Sequence, residues 1–219
     1  MTTAAKHTVV LRIGFALLVA AYFYNYFFGC RHGITADTVK TAPVLFLGIV
    51  AWSAGGFRPQ LLPAALLFSA IGDLLGEQGV FIMQIAMFAV AHILYTMFFL
   101  HRAHADRTAL SSVTVLAIAG VSLGVYILPH IGNRTERLFC GIYILIISAM
   151  AASTLLQRCK HKRLYVAAAL IFMISDAVIA LNKFVEHIPY AGVIIMATYF
   201  VAQYIFARLY IGEQTEERQ

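Results

Sequence analysis

Long apolar segments alternate with short polar connectors along the whole chain. An α-helix that crosses the hydrocarbon core of a bilayer needs about 20 mostly apolar residues. Eight segments approach this length, and charged residues, glycine or proline separate them. The predicted spans are Val9–Phe28, Thr41–Ala54, Leu61–Leu75, Phe81–Leu100, Leu110–Leu128, Leu138–Leu155, Leu164–Leu181 and Tyr190–Tyr210. The pattern therefore predicts an all-α, polytopic membrane protein in which residues 1–219 form one domain of eight transmembrane helices.

The composition indicates that lipid surrounds most of this chain. Hydrophobic residues make up 61% of it and charged residues only 12%, with a mean hydropathy of +0.82. A soluble domain is about half apolar and about a quarter charged, because its surface must face water. These values exclude a soluble enzyme, a disordered chain and a disulfide scaffold. The three cysteines form no CxxC pair that would indicate a metal or redox motif.

The positive charges indicate an orientation rather than a nucleic-acid surface. The net charge is +6, and the sixteen Lys and Arg residues lie between the apolar segments. With the N-terminus inside, eleven of the sixteen lie on the inner side. Because cytoplasmic loops carry an excess of Lys and Arg, we expect both termini to be cytoplasmic. We place the protein in the cell (inner) membrane as a multi-pass protein.

A faint internal repeat relates the two halves of the chain. Residues 88–95 (FAVAHILY) in the fourth span are similar to residues 199–206 (YFVAQYIF) in the eighth. A Gly-Asp pair ends at Asp73 in the third span, and a Ser-Asp pair ends at Asp176 in the seventh. The repeat favours an internal duplication of a four-helix unit.

Three ionisable side chains lie within the predicted spans. A charged group at the bilayer centre costs at least about 2.5–3.5 kcal/mol, so it usually faces an internal cavity and has a function. Asp73 and Asp176 each lie 12 residues into their spans, roughly 18 Å from the inner end. His92 lies 11 residues into a span of opposite direction, roughly 16 Å from the outer end. We therefore expect the two carboxyl groups in one layer, in the outer half of the membrane, with His92 within reach of that layer.

The neighbours of these groups are polar or small. Ser69 lies one helical turn before Asp73, on the same face, and Ser175 directly precedes Asp176. Two carboxyl groups in different environments can divide the roles of acid and base. The alternative is structural, since a single buried Asp often serves only to form a hydrogen bond between helices.

Other catalytic motifs are missing from the sequence. The pair His101 and His104 has no third ligand nearby, so we expect no zinc site. The segment around Ser53 lacks the first glycine of a nucleophile elbow. Ala70 stands where presenilin-type intramembrane aspartyl proteases carry the first glycine of their motif. No phosphate-binding loop or dinucleotide fingerprint is present, and we expect no nucleic-acid partner.

The order and spacing of several motifs resemble one known family. Residues 68–73 (FSAIGD) are followed by Phe88, His92, Tyr95 and Phe99 at fixed spacing. Later elements of the pattern are Tyr143, Met150, Phe172, Ser175, Asp176, Tyr199, Ala202 and Gln203. Together, over spans two to eight, they resemble the YhhN family, also called the TMEM86 or lysoplasmalogenase family. The chain departs from that family at Lys40, where Thr41 follows in place of the usual proline.

The resemblance implies a hydrolase that cleaves the vinyl ether bond of lysoplasmalogens inside the membrane. Its products would be a fatty aldehyde and glycerophosphoethanolamine or glycerophosphocholine. We expect Asp73 and Asp176 to form the catalytic pair with help from His92, without a metal or an organic cofactor. The expected substrate-binding residues are Lys40, Ser69, Tyr95, Tyr143, Ser175, Lys183, Tyr199 and Gln203. The expected partners are the lysophospholipid substrate and membrane lipid.

Two other classes of protein fit the same residues. A small transporter or proton-coupled channel would also keep buried Asp and His side chains at matched depth. A non-catalytic lipid-binding protein would tolerate the loss of both carboxyl groups. Release of an aldehyde product separates the hydrolase from both alternatives, and the sequence leaves the oligomeric state open.

Overall fold

The protein is built from α-helices, as the apolar pattern predicts. A computed structural model describes residues 3–29, 33–55, 60–104 and 107–216. These ranges contain eight α-helices and one 3₁₀ turn at Leu128–His130. The helices are α1 (Thr3–Phe28), α2 (Ile34–Ala54), α3 (Leu61–Glu77), α4 (Phe81–Leu100), α5 (Arg107–Ile127), α6 (Arg134–Leu156), α7 (Lys162–Phe184) and α8 (Ala191–Glu216). The predicted all-α fold class and the number of helices are confirmed.

The lengths of the helices suit a bilayer. Seven of the eight described helices are long and apolar enough to cross a membrane. The remaining one, α3, has 17 residues, which is the lower end of the spanning range. Large apolar side chains on the helix surfaces, such as Leu17, Val115 and Val125, are exposed and would face lipid. The chain is therefore a multi-pass integral membrane protein, and the cytoplasmic position of its termini stays a prediction.

The helix ends differ from the predicted spans in a few places. Helix α2 begins at Ile34 rather than at Thr41, because the more polar residues 34–40 are also helical, and Pro43 is accommodated inside the helix. The Asn133 side chain caps α6 by accepting hydrogen bonds from the backbone N–H of Thr135 and of Glu136, at 2.8 and 3.2 Å.

Helix α8 starts one residue later and ends six residues later than expected. Tyr190, the predicted first residue, has a φ of +58° and therefore lies outside the helix. Its carbonyl oxygen accepts hydrogen bonds from the backbone N–H of Val193 and of Ile194 at 2.9 and 3.1 Å. The predicted end at Tyr210 was too early, because the helix continues through polar residues to Glu216.

The chain forms two compact units. The first contains residues 1–94 and 203–219, and the second contains residues 95–202, so α4 and α8 contribute to both. In the first unit α2 packs along α3 and α1, and Gly48 allows close approach to the Leu67 side chain. In the second unit α6 packs between α5 and α7. The prediction of a single eight-helix domain stays a prediction.

Candidate active site

Asp73 is a buried acid in an otherwise apolar helix of the first unit. Its side chain is only 3% exposed, and Ser69, one turn earlier on α3, is fully buried. The Ser69 hydroxyl has no hydrogen-bond partner in the described part of the chain. Gly72 lies beside them, and a Cβ atom at this position would come within 3.0 Å of the Phe88 ring. The glycine therefore lets an aromatic ring of α4 lie against α3 next to the carboxyl group.

A tight turn joins the helices that carry Asp73 and His92. Helix α3 ends in a Schellman motif with Gly79 at a φ of +76°, a conformation that favours glycine. The backbone N–H of Val80 donates to the Leu75 carbonyl at 2.9 Å, and that of Gly79 to the Gly76 carbonyl at 3.2 Å. Because α4 begins two residues after Gly79, this motif fixes where α4 starts.

His92 is fully buried on α4. Its Nδ1 lies 2.6 Å from the Phe88 carbonyl oxygen, which can only accept a hydrogen bond. Nδ1 is therefore the donor, and in a neutral imidazole Nε2 is then the acceptor nitrogen. The ring is thus oriented by its own helix, and Nε2 is the atom with proton-accepting capacity.

An ion pair lies one turn beyond Asp73. Lys40 of α2 and Glu77 of α3 are 2.9 Å apart, and their side chains are 19% and 21% exposed. Tyr22 of α1, itself buried, interacts electrostatically with both Glu77 and Asp73. The sequence pattern predicts Lys40 but misses Tyr22, because one Tyr among the many aromatic residues of the first span gives no signal.

The second unit holds Asp176 of α7 in direct contact with a tyrosine. The Tyr143 hydroxyl of α6 donates a hydrogen bond of 2.5 Å to Asp176 Oδ2. Next to this carboxyl, the Ser175 hydroxyl donates to the Ile195 carbonyl of α8 at 3.0 Å. The Ser175 hydroxyl proton therefore joins α7 to α8. Of the predicted site residues, the structure brings Tyr143 and Asp176 together.

The other predicted residues of the second unit make contacts of their own. Tyr199 is buried and packs edge-on against Phe172, with ring centres 5.3 Å apart. Tyr95 is fully buried and stacks on Phe99 at 6.4 Å. Lys183 is exposed near the end of α7, with its ammonium group 5.5 Å from the centre of the Phe184 ring.

Gln203 lies in the first unit, where it is fully buried on α8. The expected meeting of Asp73 and Asp176 stays a prediction, because the two carboxyl groups belong to different units. The described residues contain no group of three or more His, Cys, Asp or Glu side chains arranged to hold a metal ion.

The fold and these side chains define a multi-pass membrane protein with an acidic side chain buried in α3 and a second one half-buried in α7. The chain belongs to the YhhN family, whose family model matches residues 35–209. This match includes every candidate residue named above except Tyr22.

The chain is similar to proteins named lysoplasmalogenase. It is 36% identical to human lysoplasmalogenase TMEM86A over 152 residues, which are 65% of this chain and 61% of the relative. It is 35% identical to human lysoplasmalogenase TMEM86B over 174 residues, 77% of this chain and 72% of that protein. A lysoplasmalogenase of Mycobacterium tuberculosis is 29% identical over 157 residues, 68% of this chain and 59% of that protein. The chain thus spans about three-fifths of the length of TMEM86A, and no solved structure matches it significantly.

Proposed function

We propose that this protein is a lysoplasmalogenase, an enzyme that hydrolyses the vinyl ether bond of lysoplasmalogens in the membrane. The observation that carries the proposal is the shared name of its relatives, since human TMEM86A, human TMEM86B and a mycobacterial protein are all called lysoplasmalogenase. A lysophospholipid with one long chain resides in a bilayer, which suits an enzyme made of membrane-spanning helices. We further propose the cell (inner) membrane as its location.

The reaction requires an acid next to an apolar chain. A proton is added to the β-carbon of the vinyl ether, which leaves an oxocarbenium ion at the carbon bonded to oxygen. Water adds to this carbon and loses a proton, and the resulting hemiacetal collapses to a fatty aldehyde and the glycerophospho-alcohol. One proton is consumed and one is returned, so the net reactant is water. Glycosidases meet a similar cation with two carboxyl groups.

Asp73 and Asp176 supply the two carboxyl groups in this proposal. One is the acid that protonates carbon, and the other, as a carboxylate, stabilises the cation and accepts a proton from the attacking water. Both lie on helices in apolar surroundings. The Tyr143 hydroxyl orients Asp176 through its hydrogen bond. His92, with Nε2 as its acceptor, and Tyr95 orient the water or a carboxyl group.

Polar residues at the ends of the helices would bind the headgroup. Lys40 is the first candidate, because its side chain is only 19% exposed and its ammonium group is held in place by Glu77. A phosphate at this position would share the lysine with Glu77. Lys183 is the second candidate. Ser69, Ser175, Tyr199 and Gln203 complete the proposed substrate-binding set.

A direct assay tests the proposal. The purified protein in detergent is incubated with a lysoplasmalogen and, separately, with its saturated ether analogue. We expect aldehyde from the first substrate alone, because only a vinyl ether forms the oxocarbenium ion on protonation. Asp73→Asn and Asp176→Asn should each abolish aldehyde release, whereas Asp37→Asn, a matched change in the first turn of α2, should retain it.

Two results would overturn the proposal. Full activity in either Asn variant at the proposed acids would exclude the paired-carboxyl mechanism. Proton or solute flux through the protein in sealed vesicles, without any aldehyde product, would establish the transporter instead.

A further inference from the structure

A groove runs between α5 and α6 on a face of the second unit. Its volume is about 1050 Å³, just above the range of about 300–1,000 Å³ typical of ligand pockets. Three glycines, Gly120, Gly124 and Gly141, leave room along it, and Val, Leu and Ile side chains form most of the remaining lining. Arg134 and Arg137 are the two charged residues that line this groove. The groove is therefore apolar along most of its length and cationic at one end.

The cationic end is held in place by the fold. Arg137 donates from Nε and Nη2 to the Ile131 carbonyl, at 2.9 and 2.5 Å. Arg134 lies three residues earlier on the same side of α6 and is exposed. Within the described ranges neither arginine forms an ion pair with a carboxylate. Both arginines also belong to the first turn of α6, where the helix dipole adds positive potential.

The length of the groove matches one leaflet. Its lining on α6 runs from Arg134 to Leu145, which is about 16 Å at 1.5 Å per residue. The hydrocarbon core of a bilayer is about 30 Å thick, so the groove covers roughly half of it. An acyl chain in the groove would thus place its headgroup beside the two arginines.

We propose that the α5–α6 groove binds an anionic phospholipid, with one acyl chain along the glycines and the phosphate against Arg134 and Arg137. The headgroup carries no amine, since an ammonium group would add a third cation beside two guanidinium groups. This lipid differs from the zwitterionic substrate of the proposed reaction and from its products, a neutral aldehyde and a zwitterionic glycerophospho-alcohol. The site is also separate from Tyr143, which is bonded towards α7 and does not line the groove. The inference therefore does not depend on the proposed function.

A second copy of this chain is a less suitable occupant. Gly120 and Gly124 form a GxxxG pattern, which often joins helices in membranes. Here Gly120 already packs against Ser148 of α6, so a second helix cannot pack closely against α5 at this glycine, whereas Gly124 and Gly141 stay open to an acyl chain. In a symmetric dimer through this groove, Arg134 and Arg137 of one protomer would lie opposite the same two arginines of the other. These like charges repel each other.

Photo-crosslinking tests the site in the full-length protein. The protein is reconstituted into nanodiscs that contain phosphatidylglycerol or phosphatidylcholine carrying a photoreactive group on one acyl chain, and labelled peptides are mapped. We expect phosphatidylglycerol to label residues 120–145 and phosphatidylcholine to label them weakly. Replacing both arginines (Arg134→Gln, Arg137→Gln) should reduce this labelling about 30-fold, because each cation near the surface contributes about a factor of five.

Three variants complete the experiment. Arg134→Gln alone keeps the Arg137–Ile131 contact, so it tests the charge even if the double variant is unstable. Gly124→Leu fills the groove and should also prevent labelling. Arg163→Gln removes an exposed arginine at the start of α7 and should change nothing.

Two outcomes would overturn the proposal. They are equal labelling by both lipids and labelling that survives Arg134→Gln and Gly124→Leu.

Discussion

The Tyr143 hydroxyl donates a 2.5 Å hydrogen bond to Asp176 Oδ2, and this bond connects α6 to α7. Tyr143→Phe removes the donor but retains the ring, so the carboxyl group would lose its orientation. We expect kcat for aldehyde release to fall about tenfold, because one hydrogen bond to a charged group is worth about 1.5 kcal/mol or more. Asp176→Asn should abolish the reaction. Tyr190→Phe, at an exposed tyrosine before α8, should leave the rate unchanged.

Tyr143→Phe also shows whether the hydrogen bond orients the Asp176 carboxyl group for the reaction or only stabilises the fold. If Tyr143→Phe lowers the melting temperature but retains the full kcat, then the bond is structural and Asp176 does not depend on Tyr143 for its role.

Ser69 offers a test of a buried hydroxyl without a partner. A buried polar group that makes no hydrogen bond costs about 1–3 kcal/mol, so Ser69→Ala should not lower the free energy of unfolding and could raise it by about 1 kcal/mol. If the hydroxyl meets the substrate next to Asp73, the same change should raise KM. Thermal unfolding in detergent and steady-state kinetics measure the two effects. A strongly destabilised Ser69→Ala protein would show that the hydroxyl has a structural partner.

Gly72 should not tolerate a side chain. A Cβ atom at this position would lie 3.0 Å from the Phe88 ring, and overpacking of a core costs about 1–3 kcal/mol. We expect Gly72→Ala to destabilise the protein and to lower activity by displacing Phe88 and, with it, His92. A second change, Phe88→Leu, should restore part of the stability.

Gly212 provides the matched control for this prediction. It lies on α8 with no atom within 4 Å of an added Cβ, so Gly212→Ala should stabilise the helix by about 0.5–1 kcal/mol. If both glycine variants had the same effect, then contact with Phe88 would not be the cause.

The ion pair between Lys40 and Glu77 can be measured by a double-mutant cycle. Both side chains are partly buried, so we expect a coupling free energy of about 1 kcal/mol between Lys40→Met and Glu77→Gln. If Lys40 also binds the phosphate, then Lys40→Met should raise KM more than Glu77→Gln does. Equal effects on KM would assign the pair a structural role only.

The orientation in the membrane is open to a direct test. Reporter fusions at the N-terminus and the C-terminus should both report the cytoplasm, because most Lys and Arg residues then lie inside. A reporter outside at one end would contradict an even number of spans, and reporters outside at both ends would reverse the predicted orientation.

Apolar periodicity predicted the helices well because lipid imposes length and hydrophobicity on every span. The segment Phe81–Leu100 has the same limits in the sequence and in the structure. Thr41 was too late as a helix start because hydropathy leaves out the polar residues Asp37 and Lys40, whereas α2 includes them and begins at Ile34. Tyr190 was wrong for a related reason, since hydropathy cannot detect a positive φ.

The candidate site was only partly predictable. Asp73, His92 and Asp176 stand out because ionisable groups in apolar segments are rare. The partner of Asp176 was proposed only as a substrate-binding residue, since the contact between Tyr143 and Asp176 depends on how α6 packs against α7. Tyr22 gave no signal, because its relation to Asp73 depends on the packing of α1. The approach of Asp73 to Asp176 stays a prediction.

The Gly79 turn has a consequence for how the protein is made. Helix α3 is short and carries Asp73 and Glu77, so it would leave the translocon for lipid with difficulty on its own. Helix α4, strongly apolar and without charges, follows after only three residues. The two helices are therefore suited to enter the bilayer together as a hairpin, with the second helix carrying the first. Lengthening this turn would weaken the coupling between the two helices. A smaller fraction of the chains would then insert α3 into the membrane during biosynthesis.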